Sequence, residues 1–274
     1  MLWQRVLSSV VGLPIIIVAI WFGSPWFSLL VAAAALIGIM EFHSIFTHGK
    51  MQLPTYTGML WVLVFLGHGH YAYSYDTETT RSIVTYVIVG TAILSTMLLA
   101  LCKRSTEERP FIQWSVSMAG ILYMGWMLSH WIIMRNSTEW SGREWVLIAL
   151  LSTFAVDTTA YFIGRAFGKH KLAPSISPGK TWEGAAGGLI GSIAAVIILS
   201  FALHVDTGYD KLVLIGLLIG IFAQVGDLAE SKLKRVAGVK ESGSVIPGHG
   251  GILDRLDSVV LTGVVVYYCL EWFL

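Results

Sequence analysis

Nine apolar runs constrain this chain more than any other feature. They fall at roughly 6–22, 26–46, 57–73, 83–101, 114–134, 145–163, 185–203, 211–229 and 257–274. About 20 apolar residues in a helix cross the ~30 Å of hydrocarbon in a bilayer. Inside that layer the backbone must satisfy its own polar groups, which leaves helices or closed barrels. Continuous runs without period-two alternation select helices. The expectation is an all-α, polytopic integral membrane protein with about nine transmembrane helices. Of the 274 residues, 55% are hydrophobic and 13% charged, against about a quarter charged in soluble domains. Arg5 before the first run resembles a signal peptide. No small-residue cleavage site ends that run and further spans follow, so it reads as a retained helix.

Lys and Arg set the expected orientation. With the N-terminus in the cytoplasm, fourteen of the eighteen lie in inside segments; Arg81, Arg135, Arg143 and Lys211 lie outside. The positive-inside rule chooses this topology and leaves the C-terminus outside. The net charge of +1 points to no partner class, and no basic stripe suggests nucleic acid. Cys102 and Cys269 sit at different expected depths, which argues against a disulfide and against a metal site.

Residues 1–144 carry little polar chemistry and read as scaffold; 145–274 carry the chemistry, within a single membrane domain of residues 1–274. Glu41 and His43 fall near the inner end of the second run, where snorkelling at the interface is expected. His68 and His70 in "GHGHY" have no carboxylate nearby, so a metal role is not expected.

The first informative block runs from Val156 to Gly188. Asp157 and Tyr161 share a helix face, with Arg165 a turn further on. Pro174 and Pro178 keep the next stretch out of helix, placing Ser175, Ser177, Lys180 and Thr181 in a structured loop. "GKT" at 179–181 fails as a P-loop, because position 174 is Pro and no strand precedes it. A loop with Lys169, Lys171 and Lys180 can still meet phosphates as point charges. Gly184, Gly187, Gly188 and Gly191 have the spacing of small-residue helix packing.

The second block runs from Gly226 to Ser258. Asp227, Glu230 and Ser231 share one helix face, and Lys234 and Arg235 follow one turn on. After a Gly-rich hinge, Asp254 and Asp257 open the last run at i, i+3. Carboxylates at the first turn of a helix are favoured by the macrodipole alone, but a second acidic pair on the preceding helix is not. Two acidic helix ends around a basic, Gly-rich hinge fit an oxygen-only divalent-cation site, with Lys and Arg meeting phosphates. Mg²⁺ suits such donors, since it takes one or two carboxylates plus substrate phosphates.

The stretch "SKLKRVAGVKESGSVIPGHGGILDRLD", Ser231 to Asp257, resembles the signature of the phosphatidate cytidylyltransferases (CDP-diacylglycerol synthases). Ser231, Lys234, Arg235, Lys240, Pro247, His249, Gly250, Gly251, Asp254, Arg255 and Asp257 match it in order and spacing; Glu241 departs, standing where the family has Asp. The first block is similar to the family in Asp157, Ala160, Tyr161, Gly164, Gly168, Lys169, Ser177, Pro178, Lys180, Thr181, Glu183 and Gly184. The resemblance implies transfer of the cytidylyl group of CTP to phosphatidic acid, giving CDP-diacylglycerol and pyrophosphate, with Mg²⁺ and room for a second cation. It implies metal ligation by Asp227 and Asp254, and Glu230 and Asp257 are expected to belong to the same metal site. Asp227, Asp254, Lys234, Arg235 and His249 are the expected catalytic group, with His249 a phosphate or headgroup donor rather than a base. Substrate contacts are expected from Asp157, Tyr161, Arg165, Ser177, Lys180, Thr181, Glu183, Ser231, Lys240, Gly250, Gly251 and Arg255. The implied partners are CTP, phosphatidic acid and membrane lipids, without nucleic acid; a homodimer stays open. The implied location is the bacterial cytoplasmic (inner) membrane.

Two rivals remain at this point. A CTP-dependent polyprenol kinase must activate a neutral alcohol and needs a base, and the paired "SPGKTWEG" and "GHGGILDRLD" motifs argue against it. An ion-coupled transporter would carry acids near the midplane between inverted repeats, whereas here they cluster at one expected membrane face.

Overall fold

The computed structural model describes residues 2–48, 53–75, 77–102, 110–245 and 250–273. Among them are nine helices: α1 (Leu2–Phe22), α2 (Trp26–His48), α3 (Thr55–His70), α4 (Glu78–Cys102), α5 (Pro110–Asn136), α6 (Gly142–Phe167), α7 (Trp182–Ala202), α8 (Tyr209–Val236) and α9 (Leu253–Phe273). The architecture is that of an all-α polytopic membrane protein. Seven helices among the described residues are long and apolar enough to span. The other two are α1, with an apolar stretch at Val10–Phe22 among its described side chains, and α3. With 16 residues, α3 is about 24 Å long at ~1.5 Å per residue, less than the hydrocarbon thickness.

The chain packs as two units, Met1–Asn136 with Ala237–Leu253, and Ser137–Val236 with Asp254–Leu274. In the first, α5 is the inner helix. Its best window is 67% buried against 11% for α4, and it carries a π turn at Leu122–Met127. Phe65, Ala92, Met118 and Ile121 form a buried cluster between α3, α4 and α5. Arg135 at the end of α5 donates to the carbonyls of Ile20 (2.5 Å) and Trp21 (3.0 Å). A cation there satisfies acceptors that the last turn of α1 leaves open.

The second unit is built on small residues. A side chain added at Gly184 would come 2.8 Å from the carbonyl of Ala160, and one at Gly187 2.5 Å from Ile163. Gly188 and Gly191 face Val156 and Thr159 in the same way, so α6 and α7 meet backbone to backbone along the expected glycine stripe. On α8, Gly216 and Gly220 receive the backbone of α7 at Ile193 and Leu189. Ser192 donates to the carbonyl of Gly216 at 2.7 Å. Thr153 of α6 donates to Thr262 of α9 at 3.1 Å, deep in the unit. In lipid, where apolar surface gives helices no reason to associate, such close contacts and buried hydrogen bonds hold them together. Phe162, Ile190, Ile198, Phe201 and Trp272 point outward and suit hydrocarbon rather than water.

Candidate active site

The proline-broken stretch after α6 folds into something the sequence did not specify. Strands β1 (Lys171–Ala173) and β2 (Ser177–Thr181) pair antiparallel, with Lys171 opposite Thr181 and Ala173 opposite Ser177. Pro174 occupies the turn, which Ile176 closes by donating to the carbonyl of Ala173 at 3.1 Å. Arg235 of α8 reaches the hairpin and donates to the carbonyl of Ile176 at 3.3 Å. Thr181 caps α7 by accepting from the amide of Gly184 at 3.1 Å. Glu183, in the first turn of α7, accepts from His170 Nδ1 at 2.7 Å and from the His170 backbone amide at 3.2 Å. The hairpin is thus tied to α7 at its base.

One consequence is the position of Lys180, whose Nζ lies 2.7 Å from Asp227 Oδ2. A second junction brings α8 and α9 together: Gly226 abuts the carbonyl of Asp257 so closely that no side chain fits between them. That contact sets Asp227 beside the first turns of α9. Lys234 Nζ then bridges Asp254 Oδ1 (2.5 Å) and Glu230 Oε1 (3.3 Å), with Lys234 13% and Asp254 9% exposed. Ser231 donates to Asp227 Oδ1 at 3.2 Å, and Asp257 accepts from the amide of Ser258 at 2.7 Å.

Between α6, α8 and α9 lies a cavity of about 300 Å³ whose wall includes Asp157, Asp227, Asp254, Arg255 and Asp257. Four aspartates from three helices around one small space repel each other strongly, because nearby low-dielectric protein screens them poorly. The lysines offset two of the four. Among the described residues no group of three or more His, Cys, Asp or Glu is already arranged to cage an ion. The donor chemistry nevertheless fits a hard cation: all ligating atoms are carboxylate oxygens, and the ammonium groups of Lys180 and Lys234 already sit as positive charges on Asp227 and Asp254.

The model of the cytidylyltransferase family matches residues 3–273. The chain belongs to the cytidylyltransferase family. The phosphatidate cytidylyltransferase of Bacillus subtilis is 31% identical over 270 residues, 98% of each chain. That of Haemophilus influenzae is 33% identical over 294 aligned positions, covering 100% of this chain and 99% of its own. The chloroplastic phosphatidate cytidylyltransferase 5 of Arabidopsis thaliana is 40% identical over 179 residues, 57% of this chain and 45% of that protein.

Within this cytidylyltransferase, the expected site residues separate into three sets. Asp157, Asp227, Asp254, Asp257 and Arg255 share the cavity, Lys180, Ser231 and Lys234 contact its acids, and Glu230 pairs with Lys234. A second set has structural partners instead. Thr181 is a buried helix cap and Glu183 holds His170. Tyr161 accepts from Arg165 Nη1 at 2.9 Å on an exposed part of α6, away from the cavity wall. Arg235 holds the hairpin, and Ser177 pairs within it. A third set, Lys240, Gly250 and Gly251, belongs to the first unit, and His249 lies outside the described residues.

One expectation about this first unit needs correction. Glu41 and His43 do not snorkel: they are 6% and 1% exposed. His43 faces Thr55 through Nδ1 at 3.2 Å and Ser117 through Nε2 at 3.5 Å. The Glu41 carboxylate and Ser242 occupy the face of Gly251. Helix periodicity could not have shown this, since the groups meeting Glu41 come from some 200 residues later in the chain. His68, with Tyr75 at 3.1 Å and Thr85 at 2.7 Å, is held by hydroxyls.

Proposed function

We propose that this family member transfers the cytidylyl group of CTP to phosphatidic acid at the aspartate cavity. A phosphate oxygen of phosphatidate attacks the α-phosphorus of CTP. The bond from that phosphorus to the bridging oxygen of the β-phosphate breaks, and CDP-diacylglycerol and pyrophosphate result. The attacking oxygen is already anionic near neutral pH, so no serine or histidine nucleophile is required. What the reaction requires is positive charge that brings two polyanions together and stabilises the departing pyrophosphate.

The observation that carries this reading is four aspartates around one cavity, two of them ion-paired to lysines, in a chain that the family model covers almost from end to end. Asp227 and Asp254 would hold Mg²⁺, with Glu230 and Asp257 orienting them. When bound, the ion neutralises triphosphate charge and polarises the phosphoryl oxygens. Arg255 on the cavity wall, with Lys180 and Lys234 paired to its Asp227 and Asp254, would supply the cations for the phosphates. The acceptor is the one for which the relatives from Bacillus subtilis and Haemophilus influenzae are named, phosphatidate. A cytoplasmic site is supported by the fourteen Lys and Arg in the inside segments.

The test is incubation of purified protein in detergent with labelled CTP and either phosphatidate or a polyprenol. Label in CDP-diacylglycerol supports the reading. Label from γ-labelled CTP in polyprenyl phosphate alone overturns it.

A further inference from the structure

A carboxylate that is 6% exposed on a helix of a membrane protein is costly unless something holds it. Glu41, on α2, is held by one short segment of the same unit. Its Oε2 accepts from the amide of Leu253 at 2.8 Å and from the Ser242 hydroxyl at 3.4 Å. Two glycines press against the same group. A side chain at Gly251 would come 2.5 Å from Oε2, and one at Gly243 would collide with Oε1 and Cδ. Ser242 and Gly243 grip the carboxylate from one side, Gly251 and Leu253 from the other. Both ends of the stretch that joins Gly243 to Gly251 are therefore held by one side chain. Gly250 carries φ +83°, which only glycine adopts cheaply.

We propose that Glu41 is a positioning residue, a buried pin that ties Ser242 and Gly243 to Gly251 and Leu253, the two ends of the loop between them. The loop contains His249 and Gly250, is preceded by Lys240 and is followed directly by Asp254. Its ends are fixed by hydrogen bonds to one charged acceptor, which are stronger than neutral ones. Oε1 has no hydrogen-bond partner among the described residues, so the carboxylate is committed to the loop through Oε2 alone. That the loop serves phosphates rests on the function proposed above; that Glu41 ties its ends does not.

The experiment joins hydrogen exchange to kinetics. Glu41→Ala should speed exchange of the Leu253 amide by about tenfold or more, because its acceptor is gone. Glu41→Gln keeps an acceptor and should restore most of the protection. In the transfer assay Glu41→Ala should raise KM for CTP by about tenfold with a smaller fall in kcat, as expected when a binding loop is loosened. Gly243→Ala should be impaired alone, since its new methyl meets Glu41. Glu41→Ala removes all three atoms it would strike, so the double variant should be no worse than Glu41→Ala. Unchanged Leu253 exchange in Glu41→Ala, or additive losses in the double variant, would overturn the pin. Faster exchange with an unchanged KM would overturn the positioning role. If Glu41→Ala does not accumulate, Gly243→Ala and Glu41→Gln carry the same exchange test. A wild-type protein that makes no CDP-diacylglycerol refutes the function above, while the exchange measurement still decides the pin.

Discussion

The two units treat buried polar groups differently. In the first, His43 and His68 meet hydroxyls, and Glu41 meets a hydroxyl and a backbone amide, all of them neutral partners. In the second, acids meet lysines and other acids, around a cavity wide enough to admit a ligand. A polar group satisfied by neutral donors gains nothing from a visiting ion. A set of carboxylates balanced only in part by Lys180, Lys234 and Arg255 does. Burial alone therefore does not mark a site in this molecule; the charge of the partners does.

The largest test of that contrast is charge removal at the cavity. Asp227→Asn and Asp254→Asn should each lower cytidylyl transfer by about 100-fold or more, a loss typical of removing one transition-state electrostatic contact. Both should purify like wild type, because Asn keeps the size. EDTA should abolish wild-type activity, and Mg²⁺ should restore it. Full activity in either variant, or indifference to EDTA, would erase the distinction between the units.

Lys180→Met should come next. It frees Asp227 of its 2.7 Å partner and removes a cation for phosphate, so KM for CTP should rise by about tenfold. Arg235→Ala, whose Nε holds the hairpin carbonyl of Ile176, should act through the same lysine with a smaller loss. Steady-state kinetics at low CTP read both, and an Arg235 effect larger than that of Lys180 would reverse their order.

Packing sets a third scale. Gly184→Ala puts a methyl 2.8 Å from the Ala160 carbonyl, a backbone atom that cannot turn aside. Overpacking of this kind costs about 1–3 kcal/mol, so thermal stability in detergent should fall, with activity lost only as folded protein is lost. The smallest effect on turnover belongs to the first unit's histidines. His68→Gln should leave kcat and KM at wild-type values, since Tyr75 and Thr85 use His68 for structure. A KM shift there would show that the neutral-partner rule fails.

Much of this was legible in the residues themselves. Long apolar runs place helices because the bilayer permits little else, and the glycine spacing of α7 reads directly as close packing against α6. The acids at i, i+3 on α8 and α9 converge because a helix repeats every 3.6 residues. Other features depend on partners that no local pattern names. Pro174 and Pro178 announce the absence of helix and do not announce strand pairing. Thr181 and Glu183 look like ligand contacts in a motif, yet their nearest partners are Gly184 and His170. Glu41 sits in a helix of ordinary hydropathy, and its meaning comes from a segment made much later. Sequence periodicity stops where such long-range pairing begins.

The ion pairs of the cavity also carry a temporal order. Lys234 is synthesised before Asp254, one of the two carboxylates that neutralise it. Asp157 emerges from the ribosome before Lys180 and Arg255. A nascent chain that stops short of α9 therefore carries Lys234 with Glu230 alone and leaves the wall of Asp157 and Asp227 open. The wall of the cavity is completed by α9, which brings Asp254 to Lys234 and sets Arg255 and Asp257 beside Asp157 and Asp227.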